Sequence, residues 1–292
     1  QFSEDLSVPL AQTGQCTVLV SLITGSTVLD QSETEPFDIS NELLGEFSLA
    51  DNNLQLGHDL IIDGMITKTN GQPTDGTINM ILKQNNIPYI MNTYEFNSGV
   101  VNIIFNTKDI LPGEYTLDLQ ATEIFGNTKL FENIASFTVT NQINVFLLTN
   151  KKTFYPEDTL TIEGEANTLL QKDLIGGTAY MTFDEFEYKT EVDAKGQFSY
   201  KLLLPKDISS GIHTIKALVT DAVGNRGEGE TKIEIITVPT SLNIDIEKSN
   251  YQPNEEITIN PLLYDQAGDS MEGAISLEIR DSKNSLVHEQ TV

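Results

Sequence analysis

The sequence predicts an all-β chain of tandem sandwiches, each about 98 residues long. Landmarks recur at that spacing, and wherever apolar residues cluster they alternate with polar ones. The charge balance then narrows what such a chain touches. Seventeen basic residues stand against 43 acidic ones, a formal net charge of −26. Nucleic acid and anionic membrane surfaces attract Lys/Arg patches, so neither is an expected partner. No apolar run approaches the roughly 18 residues a membrane span needs, so no direct membrane insertion is expected. The mean hydropathy is −0.18 and 39% of residues are hydrophobic, enough for packed cores. The single cysteine, Cys16, excludes an intrachain disulfide framework. Its alternating apolar surroundings predict a small buried hydrophobe.

Three landmarks recur in a fixed order. The first opens a strand: Tyr155-Pro156-Glu157-Asp158-Thr159-Leu160-Thr161-Ile162 matches Tyr251-Gln252-Pro253-Asn254-Glu255-Glu256-Ile257-Thr258-Ile259. A weaker copy runs from Leu56 to Gly64. The second is a glycine before an alternating strand, at Gly76, Gly177 and Gly273. The third is a turn and hairpin, Pro112-Gly113-Glu114-Tyr115-Thr116-Leu117 to Gly126-Asn127. It recurs as Ser210-Gly211-Ile212-His213-Thr214-Ile215 to Gly224-Asn225, and in shorter form from Gly14 to Gly25.

Between these landmarks the chain reads as strands. Leu117, Leu119 and Ala121 alternate with Thr116, Asp118 and Gln120, and Ile233 and Ile235 alternate with Lys232 and Glu234. Such strands bury one face and wet the other. Ile162, Leu117, Leu119, Ile215 and Ile233 are therefore expected inside, and Asp118 and Glu234 outside. Asn70-Gly71, Asp75-Gly76 and Gly224-Asn225 supply turns. Helical periodicity is absent except for a turn or two over 41–47. About seven short, closely turned strands per repeat predict tandem immunoglobulin-like β-sandwich repeats, without the Cys pair and Trp of antibody domains.

The phrase at 112–127 and 210–225 resembles the closing hairpin of bacterial and archaeal Ig-like surface domains. The opener from Tyr251 to Ile259, followed by Asp265 to Gly268, is similar to the first half of macroglobulin-like domains. The resemblance spans essentially the whole chain and implies surface-layer, filament or adhesin architecture. The macroglobulin thioester is not matched, because His288-Glu289-Gln290 lacks a cysteine and Cys16 lacks the Glu-Gln.

The opening phrase QFSEDLSVP repeats QFSYKLLLP at 197–205. Residues 1–40 therefore read as the second half of a domain and 239–292 as the first half of one. Complete domains occupy 41–140 and 141–238, with short linkers near Asn141 and Val238-Pro239; the proline favours an extended, stiff junction. Two arrangements satisfy the half domains. Either the sequence is a window on a longer array, or the 1–40 half completes the 239–292 half of a neighbouring chain. In the second arrangement Phe2, Leu6, Val8, Cys16, Val18 and Val20 pack against Ile257, Ile259, Ile275 and Leu277 of that neighbour.

No catalytic constellation is recognisable. His58, His213 and His288 occupy unrelated repeat positions, have no second ligand nearby, and read as exposed strand residues. No nucleophile elbow, phosphate loop or EF-hand spacing occurs. The chain is therefore expected not to be an enzyme and to need no cofactor, calcium excepted. Carboxylate clusters read as solvated faces, with one alternative. Asp158, Glu157 and Asp221 are candidate calcium ligands at a domain junction. The function expected is an extracellular, cell-surface structural protein that self-associates head to tail. The alternatives are an adhesin or carbohydrate- or protein-binding module, and accessory domains of a larger secreted enzyme. For a glycan or protein ligand, Tyr89, Tyr94, Phe183, Phe186 and Tyr188 are the aromatics to inspect.

Overall fold

The structure, a computed structural model, describes residues 3–5 and 12–291. It is all-β and divides into two compact units, Gln1–Asn141 and Gln142–Val292. Among the described residues, each unit contains one closed sandwich and one segment without a buried core cluster.

The first unit starts with four strands, β1 (Gly14–Cys16), β2 (Leu19–Thr24), β3 (Thr27–Glu33) and β4 (Phe37–Ile39). They form one long hairpin, since β1 pairs β4 and β2 pairs β3 around the turn at Gly25-Ser26. The sandwich follows: β5 (Leu43–Leu49), β6 (Asn53–Gln55), β7 (Asp59–Lys68), β8 (Gly76–Gln84), β9 (Ile87–Phe96), β10 (Val100–Asn106), β11 (Gly113–Glu123) and β12 (Thr128–Thr140). One sheet has the order β10-β7-β5, the other β6-β12-β11-β8-β9. The inward-facing set, including Leu60, Ile62, Ile78, Met80, Leu117 and Leu119, is fully buried.

The second unit repeats this plan with β13 (Ile143–Thr149), β14 (Thr153–Phe154), β15 (Thr159–Thr168), β16 (Gly177–Phe183), β17 (Phe186–Val192), β18 (Gln197–Leu203), β19 (Gly211–Thr220) and β20 (Arg226–Ile235). Its sheets run β13-β15-β18 and β14-β20-β19-β16-β17, matching the first sandwich strand for strand. Ile162, Ile215 and Ile233 lie in its core, while Glu234 faces solvent. After it come two separate hairpins, β21 (Ser241–Ile246) with β22 (Ile259–Tyr264), and β23 (Ser276–Arg280) with β24 (Leu286–Thr291). Registers repeat as well as strand orders. Leu43 opposes Lys68, Ile143 opposes Thr168, and β21–β22 continues the same pairing with Ser241 opposite Tyr264.

Four expectations are corrected. The segment 41–47 forms no helical turn; from Leu43 it belongs to β5, because Leu43, Phe47 and Leu49 alternate onto the core. Asp118 is 5% exposed rather than outside. A register shift in β12 lets the Asn133 amide, held at a φ of 50°, donate to Asp118 at 2.8 Å, and Lys83 closes over the carboxylate at 2.7 Å. His213 is buried, and Cys16 is only half-buried because its hairpin has no opposing sheet among the described residues.

Candidate assembly surfaces

The hairpin at 14–39 carries apolar residues left largely exposed among the described residues. Leu19, Val20, Leu22, Ile23, Val28 and Leu29 are 50–62% exposed. Two of them have core residues as counterparts in the second sandwich: counting from the hairpin glycines, Val20 and Leu22 stand where Ala217 and Val219 are buried. The 241–291 segment is similar, with Leu242, Ile244, Ile246, Ile257 and Leu262 each 44–59% exposed. Along β23 the burial alternates. Leu277 and Ile279 are half-buried while Ser276, Glu278 and Arg280 are exposed, so the strand has one partly covered face and one open face.

Of the assembly residues expected from sequence, Cys16, Val18, Ile259, Ile275 and Leu277 are half-buried, and Val20 and Ile257 are exposed. Phe2, Leu6 and Val8 lie outside the described residues. Strand β2 bonds β3 alone and β23 bonds β24 alone, so each leaves one backbone edge open among the described residues. An open edge beside an apolar face is a template for strand addition.

Acidic loop residues turn out to be structural. Asp158 accepts hydrogen bonds from Lys151 Nζ at 2.5 Å and from the Tyr155 amide at 2.7 Å. These contacts, the lysine foremost, hold its carboxyl below the usual range. The third repeat contains the same device. Glu255 accepts from Lys248 Nζ at 2.6 Å and the Gln252 amide at 2.9 Å, and is lowered for the same reasons. Asp221 uses Oδ1 to cap the amides of Val223, Gly224 and Asn225 and Oδ2 to accept from Asn225 Nδ2, which fixes the β19–β20 turn. Glu157 sits in the opener turn at a φ of 64°. Among the described residues, no group of three His, Cys, Asp or Glu side chains is placed to hold a metal ion. The three calcium candidates are not brought together, because Asp158 and Asp221 are already engaged by their own loops.

The three histidines occupy different settings. His58 is half-buried at the β6–β7 turn, and His288 is exposed on β24. His213 Nε2 is 2.9 Å from the Ser209 carbonyl, while Nδ1 is 2.9 Å from the Asp184 carboxylate. The expected aromatics sit in different settings. Phe183 is core, packed on His213 with ring centres 5.7 Å apart; Tyr188 pairs with Tyr200; Tyr89 packs edge-on to Tyr115. Tyr94 is half-buried against the first core, and Phe186 is 57% exposed at the β16–β17 turn. A hollow lies elsewhere, on the outer face of the five-stranded sheet of the second sandwich. It holds about 620 Å³ and is lined by Tyr180, Leu218, Lys216, Glu187, Glu228 and Glu230.

Sequence reasoning missed a junction that ties the second sandwich to the 239–292 segment. Gln266 Oε1 accepts the Val238 amide at 2.8 Å, and its Nε2 donates to Ile208 O at 3.1 Å and, more weakly, to Ile236 O at 3.4 Å. Beside it Ser210 Oγ donates to Asp265 Oδ2 at 3.0 Å. Burial pushes the Asp265 carboxyl up, but hydrogen bonds from Asp269, Ser210, Ala267 and Gly268 outweigh that and hold it low. The signal was present in the Asp265–Gly268 turn, but nothing in one sequence says where a loop glutamine reaches.

No protein-family profile and no curated protein sequence matches the chain. Among solved structures, it is similar to a tetra-tandem repeat in the extending region of a large adhesion protein. That likeness has 14% identity and a TM-score of 0.39, and covers 96% of this chain and 70% of the other. It is also similar to red sea bream transglutaminase, with 11% identity, a TM-score of 0.29, and coverage of 66% and 31% respectively. Among the described residues no helix is long and apolar enough to cross a membrane.

Proposed function

We propose that this chain is an extracellular structural protein, a spacer of surface-layer, filament or adhesin type, whose work is extension and assembly rather than turnover. The observation that carries this reading is the division of each unit into a closed sandwich and a coreless segment with bare apolar strands. A closed sandwich gives rigidity. A coreless segment with an open edge gives a place for the next element to join. Head-to-tail joining through these segments, in the manner of strand addition, is the finer part of the reading. The acidic surface fits an exposed role, since −26 on the chain keeps free sandwiches apart in solution. Labelling of intact, unpermeabilised source cells with antibody against the second sandwich tests the location. Surface labelling supports the reading, and labelling only after permeabilisation contradicts it.

A second reading, a glycan- or protein-binding adhesin, is favoured by the hollow at Tyr180, where an exposed ring and Lys216 stand beside three carboxylates. Glycan-array binding lost on Tyr180→Ala would support it.

A further inference from the structure

We infer that the side chains of Lys83 and Asn133 join in an amide bond, with Asp118 moving the protons and the asparagine nitrogen leaving. The bond fastens β8 to β12 across β11. It goes beyond the spacer reading and does not depend on it.

The three side chains come from three neighbouring strands of the five-stranded sheet of the first sandwich, Lys83 from β8, Asp118 from β11 and Asn133 from β12. Lys83 Nζ lies 2.7 Å from Asp118 Oδ2 and 3.2 Å from Asn133 Oδ1. The second contact sets the amine nitrogen against the carboxamide it attacks, since Oδ1 is bonded directly to Cγ. The carboxylate is held through its other oxygen, because the Asn133 backbone amide donates to Asp118 Oδ1 at 2.8 Å. The lysine and aspartate side chains are 14% and 8% exposed, so little water competes for either.

The chain departs from its own repeat to build this arrangement. Counting from Gly113 and Gly211, Asp118 corresponds to Lys216. There β19 and β20 pair without interruption, Lys216 opposite Glu230. In the first sandwich the register jumps: Leu117 opposes Ala135 and Leu119 opposes Phe131, so Glu132, Asn133 and Ile134 stand against Asp118 alone. Asn133 takes a φ of 50°, which asparagine tolerates and a regular strand does not need. Bulges of this kind re-aim a side chain, and they gather beside reactive sites. Thr116, directly across from Lys83 and two residues before Asp118, has a buried hydroxyl without a hydrogen-bond partner among the described residues. It is a spare donor for an oxygen that takes up charge during addition.

The step balances without cofactor or oxidant. Asp118 is within general-base reach of the ammonium and takes one proton from Nζ. The freed lone pair forms the Nζ–Cγ bond, and negative charge develops on Asn133 Oδ1. As the carbonyl reforms, the Cγ–Nδ2 bond breaks. A second Nζ proton passes through Asp118, so the departing nitrogen carries both protons away as ammonium and Asp118 returns to carboxylate. The new amide keeps one N–H, which Asp118 accepts. Holding amine and amide in contact removes the entropy cost of a bimolecular encounter. One amide replaces another, so bond energies nearly cancel, and escape of ammonium into solvent drives completion. In a chain under load, the tie lets force bypass the segment between residues 83 and 133.

Mass spectrometry of the denatured full chain tests the bond. The native chain should lack the mass of one ammonia and should yield, on tryptic digestion, a branched peptide joining Lys83 to Asn133. Cyclisation of Gln1 also releases ammonia, so the branched peptide decides. Lys83→Arg keeps a cation opposite Asp118 and should fold with unchanged circular dichroism, yet it should give linear peptides only. Asn133→Ala should do the same. Asp118→Asn should slow formation of the branch about a hundredfold in freshly made protein. Linear peptides alone from the folded native chain overturn the proposal. A branch between Lys83 and Asp118, formed with loss of water, overturns Asn133 as the acceptor, and an equally fast branch in Asp118→Asn overturns the proton-carrying role of Asp118.

Discussion

Tyr115 and His213 occupy the same corner of the two sandwiches, and each bonds the backbone carbonyl four residues before it. Tyr115 Oη donates to Leu111 O at 2.7 Å; His213 Nε2 meets Ser209 O at 2.9 Å. Both rings are buried at the start of the internal strand, so the bond pins the loop entering the sandwich to its core. A tyrosine in this place is a hallmark of immunoglobulin-like sandwiches. The histidine does the same work with a second contact, to Asp184.

Tyr115→Phe keeps the packing and loses the hydroxyl. It should destabilise the first sandwich by about 1–2 kcal/mol, with the second unaffected, as read by chemical denaturation. His213→Tyr should be tolerated, since the new hydroxyl restores the bond to Ser209 O, whereas His213→Ala should cost about 2–3 kcal/mol through the unpaired carbonyl and lost ring.

Gly196→Ala should destabilise the second sandwich by about 1–3 kcal/mol from backbone strain alone. Gly196 has a φ of 78°, and an added Cβ would lie 2.1 Å from the Ala166 carbonyl oxygen. Gly99 repeats the arrangement in the first sandwich, with a φ of 74° and Ile66 O at 2.4 Å. The matching Gly99→Ala should act there alike, and thermal melts of the two variants check both.

Asp118→Ala should cost about 3 kcal/mol, because it strands the Lys83 ammonium, 14% exposed, and the Asn133 amide. Lys83→Met should cost less, and a double-mutant cycle should show coupling between the two changes.

These particular residues show what the sequence made legible. Repeat spacing and alternation were enough for the sandwiches, because Leu117, Ile162 and Ile215 answer to period two and to nothing else. Asp118 was not legible. Its burial depends on a β12 bulge and on Lys83 from another strand, a contact between residues 35 apart in the chain. Asp158 and Asp221 looked like cation ligands because composition counts carboxylates and cannot see the amides they cap. Gln266 escaped notice for the same reason, its partners lying on the preceding sandwich.

Acid should loosen the repeat openers and the junction. Asp158, Glu255 and Asp265 all have carboxyls lowered by folding, so their contribution is complete above the unfolded carboxylate range, about pH 4. It is lost as pH falls through their lower folded values. Limited proteolysis near Val238 should accelerate on that descent, and Gln266→Ala should bring the acceleration to neutral pH.

Salt should raise the melting temperature by screening the net charge of −26. Calcium chloride should do no more than sodium chloride at equal ionic strength, since Asp158 and Asp221 are engaged by Lys151 and by turn amides. A specific calcium increment that a chelator reverses would contradict this.

Concentration-dependent hydrogen exchange tests the split assembly most directly. The account predicts that amides in 14–39 and 241–291 exchange fast in dilute protein and become protected together as concentration rises. Those of 43–140 and 143–235 should stay protected throughout. Equal, rapid exchange of the two outer segments at every concentration would contradict it.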